Sequence, residues 1–178
     1  MTDDSSAQVP RLGTMTVLEA ALRHGETGYR VFPCLPLQKE PAIKAWQNHA
    51  TAEPKIIRGW FSEFPDRNLA IACGLQPNGI NLLVIDIDVH HGGLETWKAL
   101  VAANGDMGMR GAPITRTPHG GFHIFLDAPE GFRNTRNRLG PGIDTRCAGG
   151  YVVVPPSSIT LDEVGSAPYV SERDLWPT

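Results

Sequence analysis

Cysteine is scarce in this chain of 178 residues: Cys34, Cys73 and Cys147 stand far apart, and no pair has CxxC spacing. That excludes a zinc ribbon or a disulfide framework and makes a reducing cytoplasm the expected home. Long apolar runs are missing too. The longest aliphatic stretch, Leu82 to Ile85, is four residues, far short of the roughly 20 a membrane span needs. The opening MTDDSSAQVP has neither the basic nor the apolar region of a secretory signal. Positive charge is not in excess, since 16 basic against 19 acidic residues give a net charge of −3. Any nucleic-acid contact must therefore come from a local patch. Nineteen glycines and 15 prolines make the chain loop-rich, yet below the roughly 25–30% of a low-complexity sequence.

The 41% of hydrophobic residues suffices for a packed core. Residues 1–13 are polar and expected to fray, leaving 14–178 as one domain with two subdomains. Thr14 or Thr16 can cap a helix over about Val17–His24, and Tyr29 to Pro33 reads as a short strand. Cys34 to His49 reads as irregular, and Thr51 as the start of a second helix with Pro54 in its first turn. Strands are expected over Asn68–Cys73, Ile80–Asp88, Thr115–Thr117, Phe122–Leu126, Ile143–Asp144 and Tyr151–Val154, with a helix over about Leu94–Asn104. From Pro155 onward the chain reads as loop. The pattern is α+β, helices first and antiparallel hairpins later.

Chemistry concentrates in three places. Leu82 to Asp88 is an apolar strand that ends in two carboxylates, Asp86 and Asp88, at i and i+2. Side chains alternate along a strand, so both would leave one face, roughly 7 Å apart at Cα. Two anions there are costly through desolvation and repulsion. A hard divalent cation relieves both costs, and a metal pair forms the clamp of nucleotidyl transfer. The plainer alternative is two solvated aspartates before a turn. His123 follows Gly120-Gly121-Phe122, where glycines admit a ligand close to the backbone, and an imidazole can donate to a phosphate oxygen. Asp144 lies in Gly142-Ile143-Asp144-Thr145-Arg146 and could be a third ligand or simply a turn residue.

Together these pieces resemble the bifunctional primase-polymerase (Prim-Pol) domain of the archaeo-eukaryotic primase superfamily, found in plasmid and phage replication proteins. Asp86-Ile87-Asp88 matches the family's Asp-x-Asp at a strand end, Gly121-Phe122-His123 its small-x-His, and Ile143-Asp144 its hydrophobic-acid motif. Lys39-Glu40-Pro41 before Trp46, Asn68 to Gly74, and Gly149-Gly150-Tyr151 running into Pro155-Pro156-Ser157 also fit, over about residues 15–160. The resemblance implies an RRM-like catalytic sheet packed with an N-terminal α/β subdomain. It implies template-directed transfer from dNTP or NTP to a DNA primer-template, with Mg²⁺ or Mn²⁺ in a two-metal site held by Asp86, Asp88 and Asp144. His123 and Gly121 would meet the nucleotide, with Arg146, Lys39 and Arg116 as candidates for its triphosphate and Lys44 a weaker one. Relatives with a zinc insert have cysteines or histidines this chain lacks, so no zinc is expected. Relatives usually continue into a helical bundle or helicase, so a longer parent protein is expected, with a short stand-alone form as the alternative.

Phe132, Arg133, Arg136 and Arg138 lie in a stretch free of acids. There an aromatic could stack a base while arginines track phosphates; a solvated loop is the alternative. His90, His91 and His119 read as loop residues that at most support the carboxylate ligands, not a rival metal set. The competing functions are a metal-dependent phosphohydrolase using the same carboxylates, or a catalytically silent nucleic-acid-binding module. Concentrated negative charge argues against the latter.

Overall fold

The computed structural model describes residues 15–105, 110–162, 165–173 and 175, so the stretch expected to fray lies outside it. Thr16 caps α1 (Val17–Glu26): its hydroxyl accepts from the Glu19 N–H while the Glu19 carboxylate accepts from the Thr16 N–H, a reciprocal capping box. β1 (Val31–Cys34) follows, then a short helix α2 (Trp46–His49) inside the segment expected to be irregular. The second predicted helix starts later than expected. Thr51 bridges back to Val31, Glu53 is the cap, and α3 (Pro54–Glu63) opens on Pro54, which has no N–H to leave unsatisfied.

β1 pairs antiparallel with β2 (Asn68–Ala72), and β2 with β8 (Tyr151–Val154), as a three-stranded sheet. One face of this sheet packs Val31, Leu69, Ile71, Val152 and Val154 against α1 and α3. The other carries Phe32, Ala70 and Val153, with Trp46 stacked on Phe32 at 4.7 Å.

The larger sheet has six strands. β4 (Asn81–Ile87) is its spine, with β6 (Phe122–Asp127) on one side; β3 (Gly74–Leu75) and β7 (Ile143–Arg146) share the other. β5 (Ile114–Arg116) lies outside β6, and β11 (Val170–Arg173) outside β5. On one face Ile85, Ile87, Ile124 and Ile143 meet Trp97 and Leu100 of α4 (Gly93–Asn104). On the other, Leu82, Val84 and Phe125 join the core under α1 and α3. The architecture is α+β, as the sequence pattern predicts.

The loop expected beyond Pro155 is instead three strands. β9 (Ser158–Leu161) and β10 (Gly165–Pro168) form a hairpin, and β11 closes the sheet edge. Their sequences, SITL, GSAP and VSER, are short and mostly polar. β9 and β10 form against weak local propensity by pairing with each other, and β11 by pairing with β5, distant in sequence.

Candidate active site

The open end of the large sheet follows from alternation along β4. Val84 and Asp86 share a face; Val84 is covered by the core, and two residues on, the cover ends and Asp86 stands in a cavity. Its register partners are His123 on β6 and Asp144 on β7, and His123 is in turn opposite Thr115 on β5. One row across four strands thus reads Thr115, His123, Asp86, Asp144. The three separate sequence motifs meet here.

The row is joined by charge. The Arg146 guanidinium donates through Nη2 to Asp144 Oδ2 at 2.9 Å and to Asp86 Oδ2 at 3.4 Å. His123 Nε2 lies 3.5 Å from Asp86 Oδ1. The imidazole is only 6% exposed, and burial, opposed by the Asp86 charge, pushes its pKa down to about 4. Nδ1 is buried without a hydrogen-bond partner. His123 is therefore neutral at pH 7, with its proton on Nε2 toward the carboxylate.

Asp88 behaves differently from the expected second strand carboxylate. β4 ends at Ile87, and Asp88 caps a 3₁₀ turn, Val89–His91. Its Oδ1 accepts from the His90 N–H at 2.9 Å and its Oδ2 lies 2.6 Å from His91 Nδ1. Partial burial opposes ionisation of Asp88, but these hydrogen bonds and the two histidines outweigh it and hold its pKa below the usual value. The Asp88 backbone is still extended, with its N–H donating to the Gly142 carbonyl at 2.8 Å, and Asp86 and Asp88 line one cavity together; the chain turns only after Asp88. His91, read as a loop residue, proves to be its partner.

Asp144 is held from its own loop. The Asn137 N–H donates to Asp144 Oδ1 at 3.0 Å, while Asn137 Oδ1 accepts from the Gly142 N–H at 2.9 Å. Asn134 fastens the same loop to Cys147 and Ala148. The Thr135 and Thr145 hydroxyls meet at 2.7 Å. The arginine-rich stretch is thus pinned to β7.

Two adjoining cavities, of about 470 and 540 Å³, share Lys39, Asp86, Asn134 and Arg146. The first runs between the two sheets, past His123 to Tyr151, Val153 and Tyr169. Tyr169 is 3% exposed with its ring centroid 5.9 Å from that of His123, and burial raises its phenol pKa. The second is lined by Asp88, Arg136 and Asp144. Gly121 borders a third cavity beside Asp88, and a Cβ there would come within 2.2 Å of the Ile87 carbonyl oxygen, so only glycine fits.

Other expected residues lie elsewhere. The Arg116 guanidinium pairs with Glu172 at 2.9 Å and faces Trp97 under α4, so it does not reach the carboxylates. Alternation reverses its face relative to Thr115. Phe132, Arg133 and Arg138 border an apolar cavity with Leu83, Ile85 and Trp97, also behind the sheet; of the three arginines of that stretch, Arg136 lines the carboxylate side. Asn134, Asn137, Tyr151 and Tyr169 were not singled out from the sequence for the site. Only the Gly149-Gly150-Tyr151 run carried a signal, and that for Tyr151 alone.

Whether this constellation suits a divalent cation depends on its donors. Asp86 and Asp144 offer hard oxygen ligands of the kind Mg²⁺ and Mn²⁺ select, and both already reach one cationic group. Asp88 borders the same cavity with its oxygens turned to His90 and His91. Among the described residues no three metal-binding side chains converge. The fit is good for two carboxylates, with the third adjacent. No helix among the described residues is long and apolar enough to cross a membrane.

A comparison with curated proteins finds no match. The family model for the N-terminal domain of bifunctional DNA primase/polymerase matches residues 21–174, taking in the whole row of facing residues. The chain belongs to the bifunctional DNA primase/polymerase family, whose members are primase/polymerase-type nucleotidyltransferases.

Proposed function

We propose that the chain adds nucleotides to a DNA primer under direction of a template, in plasmid- or phage-type replication, at the cavity over Asp86. The observation that carries this reading is the row of His123, Asp86 and Asp144 on three neighbouring strands, opening into a cavity with Lys39 and Arg146. In this reading the larger sheet is the family's RRM-like catalytic sheet. Asp86, Asp144 and Asp88 would hold Mg²⁺ or Mn²⁺. When bound, the cations supply acidification of the primer 3′-hydroxyl and neutralise charge gathering on the departing pyrophosphate.

The chain's own groups position the reactants. Lys39 and Arg146 bind the triphosphate, the guanidinium through its planar fork. His123 donates its Nε2 proton to a phosphate oxygen. Being neutral, it gives a directed hydrogen bond and takes no charge from the transition state. Tyr151, Val153 and Tyr169 wall the inner end of the cavity and shield the reacting phosphate from water. Arg136, at the outer end, contacts the phosphates of the incoming strand.

Pyrophosphate release from dNTPs with Mn²⁺ tests the reading. Release that requires both primer and template, and is lost in Asp144→Asn, is expected. Equal phosphate release without nucleic acid would instead support a phosphohydrolase.

A further inference from the structure

Asp86 and Asp144 are register partners on adjacent strands, directly opposite each other, where like charges repel. One guanidinium group relieves that repulsion: Arg146, two residues beyond Asp144 on the same strand face, donates to Oδ2 of both. Its Nη2 is placed where a shared cation would have to be. Mg²⁺ or Mn²⁺ must approach carboxylate oxygens to about 2.0–2.2 Å, closer than a guanidinium nitrogen at 2.9 Å. An ion between these two oxygens would lie against the guanidinium, and the two positive charges compete for the place.

We infer that Arg146 occupies the place of the catalytic cation in the nucleotide-free enzyme, and that it moves to the triphosphate when the cation enters. The inference rests on the metal reading above and adds an exchange to it. Two features make the exchange feasible. Arg146 is about one-third exposed, so its head can move without unpacking the core. The same guanidinium also borders the inner cavity with Lys39 and His123, so a triphosphate there lies within its reach. The cation frees the guanidinium, and the triphosphate keeps it away from the carboxylates. Metal and nucleotide then strengthen each other's binding, as linkage requires. Without nucleotide, Arg146 weakens metal binding, which keeps the site poorly loaded until substrate arrives.

The sign of this effect makes it testable without turnover. Mn²⁺ binding is measured by titration calorimetry on the full chain without nucleotide, for wild type, Arg146→Gln, Arg146→Lys and Asp86→Asn. Arg146→Gln should bind Mn²⁺ about tenfold more tightly than wild type, a change of about 1.4 kcal/mol. At saturating Mn²⁺ the same variant should bind a non-hydrolysable dNTP analogue about tenfold more weakly. Arg146→Lys keeps the charge and loses the fork, so its Mn²⁺ affinity should stay near wild type while analogue affinity falls. If Arg146→Gln is too unstable to measure without metal, Arg146→Lys decides. Unchanged analogue affinity in it overturns the inference. Equal or weaker Mn²⁺ binding by a folded Arg146→Gln also overturns it. Asp86→Asn separates the two levels: if it binds Mn²⁺ like wild type, the metal reading itself fails. If it loses Mn²⁺ while Arg146→Gln gains none, only the exchange fails.

Discussion

His123 sits against Asp86 with its Nδ1 buried and unpartnered, an arrangement that suits a neutral donor and would burden an imidazolium. A hydrogen bond to a charged phosphate is worth roughly 1.5–3 kcal/mol. Steady-state kinetics of His123→Ala should therefore show KM for the nucleotide raised about 10- to 100-fold, with kcat less affected. An unchanged KM would remove His123 from the phosphate site. His24 gives a separate, structural test. It is fully buried at the end of α1, and burial pushes its pKa down to about 3. The unfolded chain, with an ordinary value near 6.5, takes up a proton that the folded chain refuses. Stability is thus complete above about pH 6.5 and falls as pH drops toward 3, by about 1.4 kcal/mol per pH unit for this group. Urea unfolding across pH should show His24→Gln losing one proton's worth of that slope. Asp86, His123 and Asp144 were legible because each lay in its own short motif. Arg116 was misplaced because its partner, Glu172, lies in a strand the sequence did not announce.

The start of α4 and the start of β7 touch backbone to backbone. A Cβ on Gly142 would come within 2.4 Å of the Gly93 amide, and Gly142 also has a positive φ of 72°. Asp88 and Asp144 each lie within a few residues of this contact, and the Asp88 N–H donates to the Gly142 carbonyl at 2.8 Å. Gly142→Ala should cost at least about 1–2 kcal/mol from the left-handed backbone alone, and more from the displaced Gly93. Its thermal melting should drop, with nucleotide binding weakened along with it; an unchanged melting temperature would show that the junction can yield. Elements with strong apolar patterning, β2, β4, β6, β8 and α1, were readable within a residue or two. β9 to β11 were not, because their short sequences carry little apolar alternation and the partner of β11, β5, is remote in sequence; α2 is too short for periodicity to register. The 3₁₀ turn that follows Asp88 and engages its oxygens depends on a capping carboxylate that alternation alone does not reveal.

A net charge of −3 leaves little general attraction for DNA, and the fold divides the densest arginine stretch between two faces of the sheet. Contact with a strand entering the carboxylate cavity therefore falls to Arg136. Arg136→Ala should flatten the log–log salt dependence of single-strand binding by about 0.7. The double variant Arg133→Ala/Arg138→Ala should leave it unchanged; fluorescence anisotropy of a labelled oligonucleotide compares them, and the reverse result would place the strand path behind the sheet. The most direct measurement of the whole account is extension of a labelled primer by the full chain with Mn²⁺ and single dNTPs, on templates that differ only in the next base. The account predicts addition of the complementary nucleotide by wild type and none by Asp86→Asn of equal melting behaviour. Extension by Asp86→Asn at the wild-type rate, or addition indifferent to the template base, would contradict it.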